Sequence, residues 1–174
     1  MAVHPIRLVG DPVLRMKARR VTKIDDSIRA LVRDMVDSMY AAHGVGIAAP
    51  QIGVPLRVIV IGLPDEEPFA LINPEIVKRE GQRRVEEGCL SIPGYRALVP
   101  RSVTVVARGL DLNGRTVRIK ASAKGGDRDA LLAQALEHEV DHINGILYID
   151  HLDSLDELQK IDRDAPDLEG EDQS

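Results

Sequence analysis

The stretch E-H-E-V-D-H, residues 137–142, has the residue types and spacing to hold a metal ion. His138 and His142 stand four apart, with Glu139 between them. On a helix, positions i and i+4 share one face, so both imidazoles can reach the same ion. Glu139, one residue from His138, is near enough to reach a water on that ion. With this content of His and Glu, the chance expectation for an H-E-x-x-H match is about 0.01.

Two histidines do not complete a site, because a catalytic divalent centre usually has three protein ligands and an open position. No third His follows at metzincin spacing: N-G-I-L-Y-I-D fills 144–150, and His151 comes nine residues after His142. The chain has a single cysteine, Cys89, in E-E-G-C-L-S-I-P at 86–93. A thiolate suits Fe(II) or Zn(II) and is deprotonated by the ion; a buried spectator thiol is the alternative. A third segment, G-V-G-I-A-A-P-Q at 44–51, pairs two glycines with small residues and ends in the amide of Gln51. It reads either as backbone that approaches a ligand closely or as a tight turn. It lacks the Lys and Ser/Thr of a phosphate loop. Asp141 either orients an imidazole or is simply solvated.

These residues need elements to carry them. Residues 25–42 place Ile28, Leu31, Val32, Met35, Val36 and Met39 at helical spacing, with Asp25 or Asp26 as cap and Gly44 just beyond the end. R-V-I-V-I-G at 57–62 predicts a buried strand, and A-L-I-N-P at 70–74 a second strand ended by Pro74. Residues 75–91 are expected to hold a strand pair leading into E-G-C-L-S. The runs 102–111 and 116–121 predict a hairpin turned at Asn113-Gly114. K-G-G-D-R-D at 124–129 reads as a loop, with Asp127 or Asp129 capping a helix from Ala130 to about Asn144 and Gly145 ending it. Leu131, Leu132, Ala135, Leu136 and Val140 give that helix an apolar face for packing. Strands and helices are segregated along the chain. The fold class expected is therefore α+β, with mostly antiparallel sheets and a separate N-terminal helix.

The chain's 174 residues suit one domain. Hydrophobic residues make up 44% and charged ones 29%, as in soluble globular proteins. With one Phe, three Tyr and no Trp, the core must be aliphatic. No apolar run is long enough to span a bilayer, and the first residues lack a signal peptide's pattern, so a cytoplasmic location is expected. The net charge of −5 is uneven. Residues 153–174 carry −7 and the remainder +2. The division expected is a catalytic domain over 1–152 and an acidic, partly disordered tail over 153–174.

Taken together and in this order, G-V-G-I-A-A-P-Q, E-G-C-L-S and H-E-V-D-H resemble the signatures of the peptide deformylase family. The likeness extends to about residue 152 and includes L-I-N-P, I-P-G-Y-R-A-L-V-P-R and N-G-I-L-Y-I-D-H-L. It implies an α+β fold with antiparallel sheets packed around a central metal-binding helix, and removal of the formyl group from the N-terminal formyl-methionine of nascent polypeptides, with release of formate. It also implies Cys89, His138 and His142 as ligands of Fe(II), with Zn, Ni or Co as substitutes. Glu139 is then the base and later the acid. The Gln51 amide and the Leu90 backbone N–H face the oxyanion, and Gly44, Val45, Gly46 and Gly88 bind substrate. Val45, Ala135 and Leu136 are expected to line an apolar methionine pocket, and Glu87 with Arg101 to form a supporting ion pair beside Cys89.

The sequence departs from the family pattern in three places. Glu137 stands where Gln is common. The 124–129 loop reads as an insertion, with Gln134 where Arg is frequent. The tail is acidic where some bacterial members carry a basic ribosome-docking helix. Any ribosome contact is therefore expected through another surface, because an acidic tail is repelled by RNA phosphates. Membrane and DNA are not expected as partners. A zinc peptidase using H-E-x-x-H, which leaves Cys89 and Gln51 without a role, and a catalytically dead metal-binding homologue are the competing readings.

Overall fold

The computed structural model describes residues 2–161. Helix α1 (Asp26–Ala41) comes first, and its N-terminus is closed by the Asp25 side chain accepting from the amides of Ser27 and Ile28. Seven strands then follow before the second helix: β1 (Gly46–Ala48), β2 (Val58–Ile61), β3 (Phe69–Glu80), β4 (Arg83–Cys89), β5 (Ile92–Arg101), β6 (Thr104–Leu110) and β7 (Thr116–Ser122). Helix α2 spans Asp127–Ile143, and the short β8 (Gln159–Lys160) comes last. Five strands form one antiparallel sheet in the order β1-β2-β3-β6-β7, while β4, β5 and β8 form a second. This is the α+β architecture that the segregated elements predict.

Strands β1 and β2, at one edge of the larger sheet, are buried on both faces, whereas β7 at the other edge keeps one face exposed. Ile59, Ile61, Leu71, Val105 and Ala107 pack with Leu132, Leu136, Val140 and Ile143 of α2. Val58, Val60 and Ile72 pack on the opposite side with Ile28, Val32, Met35 and Met39 of α1. Side chains alternate between the two faces along each strand, which is why β2 reads as an unbroken apolar run. A third cluster, of Leu14, Ile92, Ala97, Val99, Leu147 and Tyr148, fixes the smaller sheet against the chain leaving α2. Among the described residues, no helix is long and apolar enough to cross a membrane.

Several boundaries differ from the sequence reading. Pro74 does not end β3. Asn73 takes φ 52°, the ladder shifts register between Ile72 and Glu75, and the strand continues to Glu80. A bulge of this kind takes proline out of the ladder it cannot donate to. Asn73 also ties the bulge to the N-terminal segment, bonding both the N–H and the carbonyl of Val21 at 2.8 Å. The strand pair expected within 75–91 is instead the end of β3 and all of β4, and the partner of β4 is β5. Helix α2 begins at Asp127, not Ala130. Gly126 stands at its N-cap with no side-chain cap, so of the expected loop 124–129 only 124–126 precede the helix, most of it within the 3-10 turn Ala123–Gly125. At the other end Gly145, at φ 74°, closes the helix as expected.

Of the stretch expected as tail, residues 153–161 form a turn capped by Ser154 and then β8, which pairs with Tyr95 and Arg96 of β5. Residues 162–174 lie outside the described residues.

Candidate metal centre

Helix α2 carries two kinds of residue on adjacent faces. Leu132, Leu136 and Ile143 enter the core, while Leu131, Ala135, His138 and His142 follow one another at three- and four-residue spacing along the other side. Strand β4 approaches that side from across the site. The β4–β5 ladder shifts register between Glu87 and Cys89, which re-aims the thiol at the end of the strand.

The result is a cluster of three donors. Cys89 Sγ lies 3.3 Å from His142 Nε2, and the two Nε2 atoms lie 3.1 Å apart. All three ligand atoms fall within 4.8 Å of one another. An ion bonded at about 2.0–2.1 Å to imidazole nitrogen and about 2.3 Å to thiolate, at tetrahedral angles, would set N···N near ~3.4 Å and N···S near ~3.6 Å. The His142–Cys89 and His142–His138 separations therefore fit a single divalent ion after shifts of a few tenths of an ångström. His142 is almost wholly buried, and its Nδ1 has no hydrogen-bond partner among the described residues. Burial pushes its pKa well below the ordinary range, which favours the neutral form a metal needs.

The other two candidate donors are oriented from behind. The Cys89 sulfur accepts from the Ser91 N–H at 3.4 Å. His138 Nδ1 meets Glu87 Oε2 at 2.8 Å, leaving Nε2 directed at the cluster. Arg101 grips Glu87 with two of its nitrogens and reaches Asp141 with a third, at 2.8 Å. Burial would raise the Glu87 carboxyl, but its bonds with His138 and Arg101 outweigh that and hold it down to about 2. Asp141, which the sequence left open, is thus a partner of Arg101. Its carboxylate also meets His151 Nε2 at 2.8 Å.

Glu139 is 4% exposed, and its Oε2 has no hydrogen-bond partner among the described residues. Burial pushes its carboxyl up to about 7. Its other oxygen lies against Gly46 of β1, where a Cβ would stand 2.8 Å from Oε1. Gln51 approaches from the turn after β1. Its Oε1 accepts the Ala48 N–H at 3.0 Å, which fixes the amide's orientation and turns Nε2 toward Ser91 Oγ, at 3.2 Å, and the Cys89 sulfur, at 3.7 Å.

A cleft of about 260 Å³ opens beside these groups. Gly44, Val45, Gly46, Gln51, Gly88, Leu90, His138 and Glu139, all singled out in the sequence, line it. Cys89 and His142 lie behind that surface. Leu136 does not line the cleft: it is fully buried in the core, and Leu131 takes the place expected for it. Both are leucines of the same helix, so only the direction each faces separates them. His43 and Gln134 also line the cleft. Gln134 donates to the Glu86 carbonyl at 3.1 Å and to Glu87 Oε1 at 3.3 Å. Glu137 accepts from the N–H and hydroxyl of Ser102 and from Arg79, so it ties α2 to the start of β6.

The model of the family described as polypeptide deformylase matches residues 3–158. The peptide deformylase of Dehalococcoides mccartyi is 52% identical over 165 residues, covering 94% of this chain and 95% of that protein. That of Thermomicrobium roseum is 46% identical, covering 98% and 96%. Among solved structures, a peptide deformylase from Legionella pneumophila superposes with a TM-score of 0.81 at 43% identity, covering 88% of each chain. One from Synechococcus elongatus, in complex with actinonin, gives 0.80 at 42% identity and covers 87% of this chain and 80% of that one. Sequence match and superposition agree over nearly the whole length, and the chain belongs to the polypeptide deformylase family.

Proposed function

We propose that Cys89, His138 and His142 hold one divalent ion at which Glu139, Gln51 and Leu90 carry out the hydrolytic removal of the formyl group from N-formylmethionyl peptides. The observation that carries this reading is the placement of Glu139 and Gln51 on the cleft wall immediately in front of the three donors. When bound, the ion supplies Lewis-acid activation of water and of the formyl oxygen. Fe(II) is the native metal in this reading, with Zn, Ni or Co as substitutes. One thiolate and two imidazoles accept any of these.

The chain's own residues do the rest. Glu139, as carboxylate, takes a proton from the attacking water and gives it to the departing amine. Its burial keeps that proton from leaking to solvent between the two steps. The Gln51 Nε2–H and the Leu90 N–H donate to the formyl oxygen as negative charge builds there. Gly44, Gly46 and Gly88 offer backbone to an extended peptide, and Val45, Leu131 and Ala135 provide apolar surface for the methionine side chain.

Residues 1–152 constitute the catalytic unit, and the acidic stretch from 153 takes no part in the chemistry. The substrate is a nascent chain, and any contact with the ribosome is made by a surface other than that stretch. The reading is tested by offering metal-loaded protein a formyl-Met tripeptide and its unformylated counterpart. Formate release from the first, with the second left intact, is expected. Cleavage of the unformylated peptide bond would replace the reading with a peptidase.

A further inference from the structure

His151 lies in the 3-10 turn Tyr148–His151 that follows α2, ten residues from Asp141. Its Nε2 meets Asp141 Oδ2 at 2.8 Å. The same oxygen accepts from Arg101 Nη1, also at 2.8 Å. Arg101 in turn holds both oxygens of Glu87, and Glu87 meets His138 Nδ1. Four links therefore join His151 to a donor of the metal cluster. Side-chain exposure is 2% at Arg101 and 4% at Glu87, then rises to 14% at Asp141 and 31% at His151. His151 is the member of this chain that stands at the solvent boundary.

We propose that His151 is a positioning residue for the metal ligand His138, acting through Asp141, Arg101 and Glu87; the inference rests on the metal assignment above. Asp141 Oδ2 is fixed from two sides, by the guanidinium and by the imidazole. Without the imidazole that oxygen faces water and the carboxylate is free to turn. Arg101 then loses a fixed acceptor on Nη1, and the orientation of its fork on Glu87 loosens. Partners behind a metal-bound histidine set the direction and basicity of the ring. Such networks are fixed as a unit, because each hydrogen bond orients the next.

The turn that carries His151 does not depend on this contact. Leu147 and Tyr148 are buried in the third cluster, and Asp150 bonds the Leu147 N–H and Arg15. Removal of the imidazole should therefore disturb the metal site and not the fold. The sequence gives no sign of this role, because the path to His138 runs through β4, β5 and α2.

The test uses full-length protein loaded with Co(II), whose visible spectrum reports the ligand geometry. Release of Co(II) to excess EDTA is timed for the wild type, His151→Ala and His151→Asn, and the Tm of each metal-free protein is recorded. The expected result is release about 3- to 10-fold faster in His151→Ala, a step removed from the direct partners whose loss typically costs about 10- to 100-fold. Its Co(II) bands should be altered and its Tm should match the wild type. His151→Asn, which keeps an amide donor, should restore slow release. A wild-type release rate and spectrum in His151→Ala would overturn the inference and leave the metal assignment standing. So would a fall in Tm that accounts for faster release in both variants. Failure of the wild-type protein to take up Co(II) would overturn the metal assignment and the inference with it.

Discussion

No atom larger than hydrogen fits on Gly46 without displacing the Glu139 carboxylate, because a Cβ there would lie 2.8 Å from Oε1. This contact joins the first signature segment to the third, and it sets where the Glu139 carboxylate stands relative to Cys89, His138 and His142. Gly46→Ala should therefore lower formate release by about 10²-fold, as expected when a reacting group is moved by an ångström or less. Metal content should stay at the wild-type level, because none of the three donors touches Gly46 in this way. Metal analysis and steady-state kinetics on the same preparation check both halves.

Gln51 is held by the Ala48 N–H, so its Nε2 cannot turn away from the site without breaking that bond. Gln51→Leu keeps much of the side-chain volume and removes the donor. It should reduce kcat by about 10²–10³-fold, the usual cost of losing one oxyanion donor. KM should change little, because the donor acts on charge that exists only in the transition state. A rise in KM at unchanged kcat would assign Gln51 to ground-state binding instead.

Arg101 is 4% exposed and stands between two carboxylates, Glu87 and Asp141. Arg101→Met would leave both without their cation. Removing one partner of a buried ion pair costs about 3–5 kcal/mol, a large part of the stability of a domain this size. Urea denaturation of the metal-free protein should show that loss. Adding Glu87→Gln to Arg101→Met should recover part of it, since a buried negative charge is then removed.

Much of this architecture was legible from residue patterns. The amphipathic run 25–42, the apolar run at 57–62 and the Asn-Gly hairpin all became the elements that their spacing implied. So did the helix bearing His138 and His142, because periodicity and local turn chemistry report directly on elements that fold by local rules. Strand β5 was hidden because I-P-G-Y-R-A-L-V-P-R contains two prolines and a glycine, which locally signal loop; pairing with β4 overrides that signal. The start of α2 was hidden because Gly126 supplies a backbone turn and no capping side chain. Cys89, His138, His142, Glu139 and Gln51, which the fold brings to one cleft, could be picked out because the chemistry proposed for them restricts residue type. The chain Asp141–His151 and the exchange of Leu136 for Leu131 in the cleft could not, since both depend on directions in space that no spacing encodes.

The central claim is that Glu139 acts as the base at an ion held by Cys89, His138 and His142. The most direct test prepares the wild type and Glu139→Gln anaerobically with Fe(II), confirms equal metal occupancy, and measures formate released from a formyl-Met tripeptide. The account predicts steady turnover by the wild type and a loss of about 10²–10⁴-fold in Glu139→Gln, the range for a general acid–base residue. Equal turnover by both proteins at equal occupancy, or none by fully loaded wild type, would contradict it.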